Sequence, residues 1–167
     1  MNSLLVIAKR PAPGQTKTRL TPPLTPEQAA QLYECFLQDT LAVMRDVPNV
    51  TRLINYAPLE AEAYFRALAP DFGLVPQVGA NLGERLANAL THCLTSGSSR
   101  KAVIMDSDSP TLPCEYLAEA FGLLDSADVV LGPCEDGGYY LIGLKQPAPA
   151  LTRQVEMSTP RVLEDTV

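Results

Sequence analysis

Three short polar segments carry the residue types that ligand chemistry requires. The first runs from Ala8 through Lys9, Arg10, Gly14, Lys17 and Arg19 to Leu20. Its window 9–19 holds four of the chain's thirteen Lys and Arg, in a protein of 167 residues with a formal net charge of −6. Such a local concentration suits a diphosphate or triphosphate. Lys and Arg donate charge-assisted hydrogen bonds, and Gly14 lets the backbone approach a ligand closely. It is not a P-loop, because that pattern places glycine directly before the lysine and Thr16 stands there instead. A solvated loop whose cations offset nearby acids is the competing reading.

The second segment is Met105-Asp106-Ser107-Asp108-Ser109-Pro110. Side chains two apart in extended backbone point the same way, so Asp106 and Asp108 could together face one divalent cation, Mg or Mn. Such cations take one or two carboxylates and complete their shell with water and phosphate. The alternative is a carboxylate cap for the following helix. The third segment, Gly132 to Tyr140, contains Asp136-Gly137-Gly138, a turn signal. Asp136 could bind a ligand hydroxyl, act as a base or cap the turn, and the two glycines let backbone lie flat against a ring or sugar.

Other chemistries find little support. The four cysteines form no CxxC pair and His92 is the single histidine, which argues against a zinc site. Neither length nor spacing suggests a disulfide framework, so reduced thiols in a cytoplasmic protein are expected. The acidic balance argues against nucleic-acid binding. No apolar run approaches the ~20 residues of a membrane span, and Met1–Ile7 is too short for a signal segment.

The elements that must position these segments alternate. Leu4–Ala8, Thr51–Ala57, Leu74–Val78, Ala102–Met105, Val129–Leu131 and Tyr139–Leu144 read as strands. Helical spacing fills the stretches after Thr25 and over 59–68, 82–94 and 115–124. Thr25, Pro26 and Gln28 predict a capping box with proline at the first helical position. The alternation predicts an α/β fold of three layers, α/β/α, with a mixed, mostly parallel sheet. The link 132–138 is too short for a crossover helix, so the last two strands are expected to be antiparallel. Ligands in such sheets sit beyond the carboxyl ends of the strands, where the three segments could meet.

Taken together, "AKRPAPGQTKTRL", "NLGERLANAL", "MDSDSPTLP", "LGPCEDGGYYLIGL" and "MSTPRVLEDT" resemble, in that order and over nearly the whole chain, the bacterial family DUF2064. That family is described as GT-A-fold, Rossmann-like, glycosyltransferase-like nucleotide-diphospho-sugar transferases. Its wider superfamily includes guanylyltransferases for phospholactate and the molybdenum cofactor. The resemblance implies a nucleotide site over Ala8, Lys9, Arg10, Gly14, Lys17 and Arg19, with a metal carboxylate at Asp108. It places the family's DGG motif at Asp136, Gly137 and Gly138. Asp106 departs from the pattern, since glycine is more typical there. The implied activity is metal-dependent transfer from a nucleotide-sugar to a small-molecule acceptor, with Lys17 and Asp136 as the catalytic candidates. Nucleotidyl transfer from an NTP, and a non-catalytic nucleotide-binding module, are the alternatives. The chain reads as one such domain over 1–167. A helix that barely opens before Val167 suggests a truncated fragment or short variant, which would expose apolar surface and self-associate.

Overall fold

The computed structural model describes residues 1–96 and 99–167. The apolar run near the N-terminus forms β1, Asn2–Lys9, and its side chains divide between two faces. Leu4, Val6 and Ala8 enter one core cluster while Leu5 enters the other. A strand buried on both faces calls for helices on both sides, and the chain supplies them.

Thr25 opens α1, Pro26–Asp46, with the expected capping box: the Gln28 amide donates to the Thr25 hydroxyl, and the Thr25 amide donates to the Gln28 side chain. At the other end Arg52 reaches from β2, Val50–Ala57, and its guanidinium donates to the carbonyls of Met44, Arg45 and Val47. These are helix-terminal acceptors that would otherwise lack a partner. A 3-10 turn over Leu59–Ala61 leads into α2, Glu62–Leu68, where Phe65 is fully buried. Then follow β3, Gly73–Pro76; α3, Leu82–Thr95; β4, Lys101–Met105; and α4, Cys114–Leu123. The chain continues through β5, Val129–Pro133, and β6, Tyr139–Leu144, to two short helices, α5, Ala150–Arg153, and α6, Val162–Thr166.

The six strands lie in the order β3-β2-β1-β4-β6-β5. β1 pairs in parallel with β2 and β4, and β2 with β3. Only β6 runs against its neighbours, β4 and β5, as the short link before it requires. Residues of α1, α2 and α4 cover one face, and residues of α3 cover the other together with Leu151 of α5. The predicted three-layer architecture is the observed one. α5 was not among the expected elements, because four residues are too few to display a helical period. Among the described residues no helix is long and apolar enough to cross a membrane.

One exposed pair gives the fold a pH dependence. The Arg45 guanidinium donates through two nitrogens to both Asp71 oxygens, each at 2.9 Å, and holds that carboxyl below its ordinary range. A depressed carboxylate stabilises the fold above its unfolded pKa and loses that contribution as pH falls through the folded value. Because both side chains face solvent, Asp71→Asn is expected to cost only about 0.5–1 kcal/mol at pH 7. Urea melts of wild type and variant should converge below pH 4.

Candidate functional site

The carboxyl ends of β1 and β4 lie side by side at the centre of the sheet, where the chain order reverses from β1 toward β2 on one side and β4 on the other. This is the crevice in which open α/β sheets bind ligands. All three polar segments reach it. The 10–24 loop follows β1, residues 106–109 follow β4, and the 134–138 turn precedes β6, whose Tyr140 carbonyl accepts the Asp106 amide at 2.9 Å.

The first loop is built to hold Lys17. Thr16 is buried, and its hydroxyl bonds both the amide and the carbonyl of Ala12, closing a tight turn. Lys17 follows with φ 52°, a left-handed conformation that a lysine rarely adopts, and starts a 3-10 turn over Thr18–Leu20. Its ammonium forms an ion pair with Asp108 and lies 5.0 Å from the centre of the Tyr33 ring. Tyr33, buried on α1, ties the two loops together. Its hydroxyl accepts the Lys9 amide at 3.2 Å and is 2.9 Å from the Ser107 hydroxyl. Burial pushes the phenol above its ordinary pKa, so it stays protonated.

Two cavities adjoin here. The first, about 380 Å³, is bounded by Ala8, Lys9, Lys17, Tyr33, Arg85 and Asp108. Gln77 braces it: its side-chain amide donates to the carbonyls of Ala8 and Asn55 at 3.0 and 2.9 Å, joining the ends of three strands. The second, about 400 Å³, is lined by Leu86, Ile104, Ile142, Met157 and Val162, with Arg19, Asp106 and Asp136 also on its lining. Ile7, Leu82 and Asp106 line both, so Asp106 stands at their junction.

The expected residues therefore separate. Ala8, Lys9 and Lys17 line the first cavity, but Arg19 lines the second. Arg10 instead lies over the Tyr64 ring at 5.5 Å. Gly14 adopts φ 70° with open space around it, so its role is the turn itself. Asp136 and Gly138 line the second cavity, and Asp136 also caps its own turn by accepting the Gly138 amide at 3.0 Å. Gly137, at φ 86°, is packed against the Pro160 carbonyl.

The two carboxylates after β4 do not lie in extended backbone, as their spacing had suggested. The chain bends after Met105, and Asp106 accepts the Asp108 amide at 3.2 Å. Burial holds the Asp106 carboxyl above the usual carboxylate range, with the Ser109 hydroxyl and the Asp108 amide drawing it back. Asp108 is half exposed and only its Oδ1 meets Lys17. Two hard oxygen donors of this kind suit Mg or Mn when phosphate and water complete the shell. Among the described residues no three His, Cys, Asp or Glu gather into a self-sufficient cage. The donor set therefore fits a cation that arrives with its ligand.

Tyr33, Gln77, Ser107 and Arg85 were not singled out by sequence. Tyr33 reads as one more apolar position of α1, since periodicity does not reveal where its hydroxyl ends. Arg85 belongs to the "NLGERLANAL" segment, which was the available signal.

The DUF2064 family model, described as an uncharacterized protein conserved in bacteria, matches residues 40–159. A 2-phospho-L-lactate guanylyltransferase from Methanobrevibacter smithii is 27% identical over 131 residues, 78% of this chain and 57% of that protein. The chain thus spans little more than half the length of this curated relative. A solved structure from Desulfovibrio desulfuricans G20, provisionally assigned as a nucleotide-diphospho-sugar transferase, is 34% identical with a TM-score of 0.91, covering 99% of this chain and 73% of that one. The fold is accordingly that of the nucleotide-diphospho-sugar transferases. Rv0371c from Mycobacterium tuberculosis H37Rv, solved in complex with manganese, is 17% identical with a TM-score of 0.51, covering 84% of this chain and 68% of that one. That likeness concerns the fold alone.

Proposed function

The chain belongs to the DUF2064 family, and from that premise we propose that it is a transferase acting at a nucleotide diphosphate, with a nucleotide-sugar as donor and a small molecule as acceptor. The observation that carries this reading is the pair of cavities meeting at Asp106, one bordered by Lys9, Lys17 and Arg85 and the other running from Arg19 and Asp136 onto Leu86, Ile104 and Ile142. In it the first cavity holds the donor. Lys9, Lys17 and Arg85 face the phosphates, and among the described residues neither Lys9 nor Arg85 has a carboxylate partner. Mg or Mn held on Asp108 and Asp106 would supply compensation for charge developing on the leaving diphosphate.

Lys17 exchanges its Asp108 pair for a phosphate oxygen and stabilises the same charge. The acceptor oxygen bonds the anomeric carbon as the bond from that carbon to the diphosphate breaks, and Asp136 takes the acceptor's proton. Gln77 and Tyr33 hold the strand ends and the two loops in place. The manganese complex of Rv0371c supports cation use by a protein of the same fold. The guanylyltransferase relative favours a second reading, nucleotidyl transfer from an NTP with release of pyrophosphate.

Thermal shift separates the two readings, because a ligand that binds only the native state raises its stability. UDP- or GDP-sugars with Mn are expected to raise the melting temperature more than the corresponding NTP does. Pyrophosphate release from an NTP in the presence of phosphorylated acceptors would replace this reading by the second. No shift with any nucleotide would overturn both.

A further inference from the structure

The second cavity lies against the sheet core rather than against the basic loop. Its floor is formed by Leu86 of α3, Ile104 of β4 and Ile142 of β6, and its outer wall by Met157 and Val162. That wall is seated on the sheet side by specific contacts. The Leu163 amide donates to the Gly137 carbonyl at 2.9 Å, and Gly137 sits so close to Pro160 that no Cβ fits between them. On the α3 side the Thr152 hydroxyl donates to the Gly83 carbonyl at 2.9 Å. The cavity is therefore part of the packed fold.

Leu86, Ile104 and Ile142 offer the hydroxyls of a polyol or sugar no partner, and only other lining residues, Tyr139, Tyr140, Ser158 and Thr159 among them, could meet them. An alkyl or aryl group gains from burial there. Three charged side chains also line the cavity. Asp136 spends one oxygen on the Gly138 amide, and Asp106 accepts the Asp108 amide. Arg19 is exposed and has no carboxylate partner among the described residues. It is the cation available to a ligand that enters this cavity.

We propose that the second cavity takes a small acid with an apolar body, an alkyl or aryl phosphate or carboxylate, whose anionic head meets Arg19 while its body lies on Leu86, Ile104, Ile142, Met157 and Val162. That this ligand is the acceptor rests on the transferase reading above and requires that it carry, besides its anionic head, a hydroxyl whose proton Asp136 takes; its chemical class rests on the cavity alone.

The test is isothermal titration calorimetry of the full chain with butyl and hexyl phosphate, hexanoate, hexanol and glucose. Affinity for the phosphates is expected to rise about three- to fourfold per added methylene. Hexyl phosphate and hexanoate should each bind at least about tenfold more tightly than hexanol, and their ratio tells which head the cavity prefers. Arg19→Gln should remove most of that advantage, whereas Arg66→Gln, which breaks an exposed pair on α2, should not change it. An affinity that does not depend on chain length overturns the assignment. So does hexanol binding as tightly as hexyl phosphate, glucose displacing the phosphate, or an Arg19→Gln variant within twofold of wild type. The wild-type series decides the question even if a variant folds poorly. Nucleotide titrations run beside it keep the two ideas apart. Nucleotide binding without hexyl phosphate binding removes this inference and leaves the donor site. The reverse result removes the donor site and leaves the ligand class of this cavity.

Discussion

Asp108→Ala is expected to abolish the manganese dependence of nucleotide binding while leaving the melting temperature nearly unchanged. The stability half of this expectation follows from exposure. The Asp108 side chain is 52% exposed and its partner is Lys17, a pair at the surface of an open cleft. Pairs of that kind contribute about 0–1 kcal/mol, roughly 2–4 °C at most for a domain of this size. The functional half follows from the donor set. With Asp108 gone, Asp106 is left as the one carboxylate after β4, and it is more buried and committed to its own turn. Without its exposed carboxylate a bound cation would have Asp106 alone to hold it after β4. Turnover should then fall by about 10²–10³-fold, the loss typical when one preorganised electrostatic contact to a transition state is removed.

A second readout separates a metal role from loss of the ion pair. Deleting Asp108 frees Lys17, so nucleotide binding in EDTA should be equal to or tighter than wild type while binding in manganese is weaker. Lys17→Ala should weaken both. If Asp108→Ala retains the full difference between manganese and EDTA, the carboxylates after β4 do not hold the cation.

The contrast between Lys17 and Arg19 marks how far the sequence could be read. The run Leu4–Ala8 identified β1 because a strand covered on both faces needs nearly continuous apolar residues. The Thr25-Pro26-Gln28 pattern identified the start of α1 because capping is a local interaction. Antiparallel β6 followed from the length of one link. These features depend on neighbours within a few residues. The direction of each cation in the first loop does not. Lys17 takes φ 52° after the Thr16 turn, and Arg19, two residues later in the 3-10 turn, lines the other cavity. Arg10 finds Tyr64, on α2, far along the chain. A stretch that looked like one phosphate cradle thus supplies residues to two cavities and to neither. Tyr33 and Gln77 escaped notice for the same reason, since their polar atoms meet segments that only the fold brings near.

Gly137→Ala is expected to destabilise the protein by about 2–4 kcal/mol, combining a backbone cost with a packing cost. A non-glycine residue held in a left-handed conformation costs about 1–2 kcal/mol, and Gly137 sits at φ 86°. The packing cost arises because a Cβ at this position would lie 1.8 Å from the Pro160 carbonyl oxygen. That contact is backbone against backbone, so no side-chain rotation relieves it. Gly14→Ala provides the control. Gly14 has φ 70° but no atom within 4 Å of the added carbon, so it carries the backbone cost alone. Urea denaturation of both variants therefore isolates the packing contribution as their difference, expected to be at least ~1 kcal/mol, the scale of an overpacked contact. The consequence for the site is local. The displaced segment is the one that carries Met157 and Val162, the outer wall of the second cavity. Binding of hexyl phosphate should weaken in Gly137→Ala, while manganese–nucleotide binding in the first cavity is retained. Equal stability losses at Gly137 and Gly14 would mean that the Pro160 segment does not press on the turn, and the second cavity would then lack the wall that gives it an apolar interior.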